Sequence, residues 1–214
     1  GGAVTLNGIN VTNPDGGVVI LDGSVLSSGG EIRIIGEGLG GSGTIGTSTI
    51  GGVSSGNILI QANNSGPIDI TSTSSINAGS NTLTLALAGG PFNDNGSSIT
   101  SGALRLLGSG TFNLGGANNN VGTLAANVTG SVTYNDTNGF AIGSVTSFDG
   151  TATTTTTGVT TGNGNFTGTT VAGNITLNAG ASVNAGTGAV ILAAGGNFIN
   201  NSGSATPITA ASGK

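Results

Sequence analysis

The feature that most constrains this chain is a recurring unit of very short aliphatic strands divided by glycine corners. Gly66–Phe92 reads GPIDITSTSSINAGSNTLTLALAGGPF, and Gly173–Phe198 reads GNITLNAGASVNAGTGAVILAAGGNF. One single-residue gap aligns them. Ile68 meets Ile175, Ile70 meets Leu177, Ile76 meets Val183, Leu83 meets Val190 and Leu85 meets Leu192. Asn77-Ala78-Gly79 meets Asn184-Ala185-Gly186, Gly89-Gly90 meets Gly195-Gly196, and Phe92 meets Phe198. Shorter copies recur at Ser24-Val25 with Ile32-Arg33-Ile34 and at Ser98-Ile99 with Leu104-Arg105-Leu106.

Strands of three to five residues cannot stand alone or build a wide sandwich. Stacked in register, each coil offers its backbone N–H and C=O groups to the coils above and below, and inward residues alternate with outward ones. The expectation is all-β: a right-handed parallel β-helix (β-solenoid) of about ten coils of roughly 20 residues. Residues 1–214 read as one β-solenoid segment, a fragment of a longer shaft or a filament subunit. The Thr/Gly-rich stretch 147–170 reads as irregular or protruding. The expected core is Ile68, Ile70, Ile76, Leu83, Leu85, Ile175, Leu177, Val183, Val190 and Leu192. Asn77, Gly79, Asn184 and Gly186 are expected at structural corners, where Gly takes positive φ and Asn satisfies backbone groups.

Composition supports stacking and excludes most chemistry. Glycine is 44 of 214 residues, and charged residues are 5% against about 25% in ordinary domains. In-register coils place equivalent side chains about 4.8 Å apart, so like charges would repel. Ile, Leu, Val and Phe form about a quarter of the chain, above the level typical of disorder. With no Cys or His, Ser-His-Asp and Cys-His catalysis and Cys/His metal sites are excluded. A net charge of −5 argues against nucleic-acid partners, and every apolar run is too short for a membrane-spanning helix. The absence of Cys fits a secreted protein. No cofactor is expected.

The stretches NITLNAGASVNAGTGAVILAAGGN, SGALRLLGSGTFNLGGANNNVGTLAANVTGSVTYNDTNGFAIGSV and NTLTLALAGG resemble the repetitive shaft of filamentous-haemagglutinin-like exoproteins of the two-partner secretion pathway. The resemblance covers most of the chain, best over residues 57–146 and 171–203. It implies a right-handed β-helix, export to the surface of a Gram-negative or cyanobacterial cell, and adhesion or fibre formation. The family's secretion domain carries an Asn-Pro-Asn-Gly type motif. Asn13-Pro14-Asp15-Gly16 is only a near match, better explained as a type I turn, so the chain reads as shaft.

Enzymatic chemistry would have to use Asp15, Asp22, Glu31, Glu37, Asp69, Asp94, Asp136, Asp149, Arg33, Arg105 and Tyr134. Glycan cleavage needs two carboxylates about 5–9 Å apart, and Asp22 with Glu31 is the candidate pair. Scattered solvated acids are the simpler reading, and the chain is expected not to be an enzyme. Glu31 and Arg33 share an outward face, and Arg105, between Leu104 and Leu106, is expected to be exposed by the same alternation. Gly40-Gly41-Ser42-Gly43 lacks the Asp of calcium-binding nonapeptides. The run Thr153–Thr157 makes no ladder across coils and reads as an exposed edge strand or loop. Tyr134 is the candidate glycan contact, although core or corner packing is the commoner fate of an aromatic here. Asn-x-Ser/Thr sequons occur at Asn10, Asn63, Asn95, Asn127, Asn135, Asn165, Asn174 and Asn200. Expected partners are neighbouring β-helix coils of this or another chain (a homopolymer in the second case), a host or matrix surface, and glycans.

Overall fold

The computed structural model describes residues 2–9, 21–25, 27–37, 43–52, 55–63, 65–70, 72–116 and 118–211. Asn10, the Asn13–Gly16 segment and Gly40–Ser42 lie outside the described residues, as do the side chains of Asp22 and Glu37.

The described chain is all strand, turn and corner, wound as a parallel β-solenoid of about seven turns. Each turn contributes strands to stacked ladders. One ladder runs through Ile68, Phe92, Phe112, Val132, Phe166 and Val190, each the register partner of the next. A second runs Val4, Ile32, Ile58, Leu83, Leu104 and Leu124. A third joins Val25, Ile50, Ile76 and Ile99. Beyond Leu124 the second ladder divides. Ile142 stacks on Leu124 and Leu177 on Ile142, while Val159 stacks on Ala126 and Val183 on Val159.

The register corrects the expected ten coils of 20 residues. The step from Phe92 to Phe112 to Val132 is 20 residues each time, from Ile68 to Phe92 it is 24, and from Val132 to Phe166 it is 34. Corners absorb the extra residues in most turns. In the longest turn a hairpin does so. The two long sequence repeats also do not stack on one face. Leu83 sits between Ile58 and Leu104, whereas its counterpart Val190 stacks on Phe166. The unit is kept, but it is turned by one face after the second ladder divides.

The inward residues form one continuous apolar column. Ile70, Ile76, Leu83, Leu85, Ile175, Leu177 and Val183 are fully buried, and Ile68 and Val190 nearly so. Leu192 is a partial exception: it packs on the core but is only partly buried. Phe198 is 42% exposed, although its counterpart Phe92 is fully buried. Both exceptions have one cause. Among the described residues, the strands Val190–Ala193 and Phe198–Asn200 have a ladder partner on one side only.

A second column is made of backbone alone. At one corner Gly66, Gly90, Gly110, Gly130, Gly164 and Gly188 lie one above another. A Cβ on Gly110 would come 2.3 Å from the carbonyl oxygen of Gly90, and one on Gly130 would come 2.3 Å from that of Gly110. A Cβ on Gly188 would meet the Gly164 oxygen at 2.2 Å. No side chain fits there at the coil spacing. Gly110→Ala is therefore expected to destabilise the protein by about 1–3 kcal/mol. Gly52→Ala, at a position with nothing within 4 Å of the new atom, should be near neutral. Urea unfolding of the two variants measures the difference.

Candidate functional site

The most elaborate side-chain arrangement lies on the outer flank. Ser144–Phe148 and Thr153–Thr157 form an antiparallel hairpin, with Ser144 opposite Thr157 and Phe148 opposite Thr153. It is a clean insertion: Gly158 N donates to Gly143 O at 2.8 Å, so the chain leaves and re-enters the coil at one point. Asp149 shapes the turn. Its Oδ1 accepts from Thr151 N and Ala152 N, both at 2.9 Å, and from the Thr151 hydroxyl at 2.8 Å. These backbone bonds hold its carboxyl well below the usual carboxylate range. The Thr run is thus the outer strand of this hairpin, with Thr156 buried and the other four threonines exposed.

The hairpin crosses the coils and covers an outward column of register partners, Leu59, Thr84, Arg105 and Ala125. All four are at most 3% exposed. Arg105 is therefore a correction. Its neighbours Leu104 and Leu106 do point inward and it does point outward, but the hairpin closes over it. Its Nε donates to Thr156 Oγ1 at 2.8 Å. One terminal nitrogen donates to Ser147 O at 2.9 Å and to Ser147 Oγ at 3.2 Å, and the other to Thr154 Oγ1 at 2.6 Å. The Thr154 hydroxyl donates in turn to Asp149 Oδ2 at 2.9 Å, so a neutral relay links the buried cation to the turn carboxylate. Burial lowers the Arg105 pKa and the Asp149 charge opposes the shift; the group stays protonated, since arginine titrates far above neutrality.

Arg33 grips the hairpin from the other end. Its guanidinium lies 4.1 Å from the centroid of the Phe148 ring and 2.6 Å from Glu31 Oε2. The ion pair is part-exposed, so it contributes at most about 1 kcal/mol, and the ring contact is of similar size. The buried Arg105 set, with four bonds, dominates the attachment.

Two of the acids depart from the expected scatter of solvated charges and build a buried polar corner. Asp94 and Asp136 are 3% and 0% exposed. Asp136 Oδ2 accepts from Val121 N at 2.9 Å and from the Tyr134 hydroxyl at 2.5 Å. Its Oδ1 accepts from Asn138 N and Gly139 N. Asp94 accepts from Gly96 N, Gly116 N and Asn119 Nδ2, and Asn119 Oδ1 accepts from Ile99 N one coil below. Tyr134 is accordingly a correction as a glycan contact. It is fully buried, stacks edge-on to Phe140 at 5.0 Å, and donates its hydroxyl hydrogen bond to Asp136. Burial and the Asp136 charge push its phenol far above its ordinary range. Asp69 sits in a side-chain ladder, receiving a bond from Asn93, which receives one from Asn113.

Asparagine works mainly as a corner cap. Asn77 Oδ1 accepts from Gly79 N at 2.8 Å and Asn184 Oδ1 from Gly186 N at 3.0 Å, with Gly79 and Gly186 at φ 57° and 55°. Others cap the next coil: Asn165 accepts from Ala189 N and Asn174 from Asn197 N. Of the described sequons, Asn63, Asn95, Asn127, Asn165, Asn174 and Asn200 are exposed and Asn135 is half-buried.

The described residues contain no group of three acidic side chains able to hold a metal, and no helix long and apolar enough to cross a membrane. No family model, curated protein or solved structure matches the chain.

Replacing Arg105 by Met keeps much of its volume but leaves the Ser147 carbonyl and the Thr154 and Thr156 hydroxyls without their donor. The variant should lose about 2 kcal/mol and become sensitive to proteolysis between Phe148 and Thr153, while its circular dichroism stays β. Because the folded-state pKa of Asp149 is lowered, its contribution is complete above the ordinary aspartate range and is lost only as pH falls through the depressed folded value. The hairpin should stay docked at pH 4, and Asp149→Asn should abolish the remaining acid dependence. Limited proteolysis across a pH series reads both.

Proposed function

We propose that this chain is a structural shaft segment: a stiff extracellular spacer that holds an adhesive or biofilm function away from a cell surface, as its likeness to filamentous-haemagglutinin-like exoproteins implies. The observation that carries the reading is the parallel stacking of strands through about seven turns around a single apolar column. At about 4.8 Å per coil this is a rod of roughly 34 Å. Many of its described polar side chains serve corners, caps and the strapped flank. The proposed role is mechanical, and the Asp136 carboxylate is in keeping with it: both its oxygens are filled by four donors that hold a corner.

Surface exposure is tested by brief protease treatment of intact cells that make the protein. The reading expects peptides from this segment to be released. Recovery only after lysis contradicts it.

A second reading has one observation in its favour. The inward residues Leu192 and Phe198 are only partly covered, Phe198 being 42% exposed, on strands with a single ladder partner among the described residues. A further coil would cover them, supplied by more of the same chain or by another subunit stacking end to end. Electron microscopy of purified protein separates the two: filaments support stacking between subunits, and monodisperse short rods exclude it.

A further inference from the structure

Beside the hairpin the flank leaves an open groove of about 490 Å³. Glu31, Asn57 and Asn81, at the leading ends of three stacked strands, line one side; Phe148 and Thr153 of the hairpin line the other. The volume lies within the range of small-ligand sites, about 300–1,000 Å³.

We propose that this groove binds a short segment of a neutral saccharide. The lining holds uncommitted hydrogen-bonding atoms of both kinds. Asn57 Oδ1 is fixed by Thr82 N at 3.0 Å, which leaves its amide donors for a ligand. Asn81 Nδ2 is fixed on Ser55 O at 2.8 Å, which leaves its carbonyl oxygen as an acceptor. Glu31 binds Arg33 through Oε2 and keeps Oε1. The exposed Thr153 hydroxyl, donor and acceptor in one, has no partner among the described residues. Both asparagines are thus held in place before a ligand arrives, which lowers the ordering cost of binding.

The other ligand classes fit less well. Glu31 and Arg33 neutralise one another, so the groove selects neither anion nor cation. The strands beneath it are hydrogen-bonded on both sides, so no backbone edge is offered to an extended peptide. The polar lining disfavours an apolar molecule. Sugar hydroxyls donate and accept at once, which matches the separate donors and acceptors that the lining leaves free. The proposal is independent of the shaft reading, because a rod lacking this site would still be a rod.

The test is an NMR titration of the ¹⁵N-labelled chain with maltotriose, cellotriose, laminaritriose and triacetylchitotriose. At least one is expected to shift the Asn57 side-chain amide and the Asn81 and Thr153 backbone signals, with a dissociation constant on the order of 1 mM. Asn57→Asp keeps the acceptor for Thr82 and removes the free donors. Thr153→Val removes an exposed hydroxyl and no observed bond. Each should weaken binding by about tenfold or more with an unchanged thermal melt. If Asn57→Asp misfolds through its new charge beside Glu31, Thr153→Val alone decides. The proposal is overturned if none of the four sugars shifts these signals at about 20 mM, or if the shifts lie elsewhere or survive the substitutions.

Discussion

Everything in this fold depends on how closely one coil lies on the next. Parallel ladders fix that spacing at about 4.8 Å, and the backbone must keep to it at corners as well as along strands. Along the strands, side chains splay inward and outward and the spacing is harmless. At the corner from Gly66 to Gly188 the carbonyl of one coil sits where the Cβ of the next would be. Glycine is required there because of crowding, not flexibility. The same spacing explains why polar side chains at corners turn to the backbone. Asn165 and Asn174 supply acceptors to amides of the following coil that the strand ladders do not reach. A chain rich in Gly and Asn and poor in charge is what such stacking demands.

The hairpin breaks this regularity and, among the described residues, is the one place where buried charge appears outside the polar corner. A guanidinium that is 3% exposed loses much of its hydration. Four bonds to the hairpin and a relay to Asp149 offset that loss only while the hairpin is docked. Attachment is therefore specific to this hairpin in this position, and it buries Leu59 and Ala125, which would otherwise be an apolar stripe on the rod. The hairpin also makes one wall of the groove, so the flank owes its shape to the insertion rather than to the repeat.

The solenoid was legible in the sequence because two neighbours decide each inward position, and both are copies of the same unit. Ile76 and Val183 could be placed in the core from alternation alone. The number of turns was not legible, since corner length is set by local loops and the aliphatic pattern is silent about it. Arg105 was misplaced for a different reason. Alternation correctly gave its side, but whether that side is wet depends on a hairpin more than 35 residues later in the chain. A signal was present: one of only two arginines in a chain of few charges, with hydroxyls at Thr154 and Thr156 two residues apart. Tyr134 and Asp136 show the same limit. Two residues apart on one strand, they form a buried pair with partners from another coil.

The most direct test is the backbone contact pattern across the inserted hairpin, measured as nuclear Overhauser effects between amide and α protons of stacked strands. The account predicts contacts of Phe112 with Val132 and of Val132 with Phe166, a step of 20 residues followed by one of 34. A contact between Val132 and the Thr151–Thr153 region in place of Phe166 would put the hairpin inside the stack. It would contradict both the register and the strapped flank.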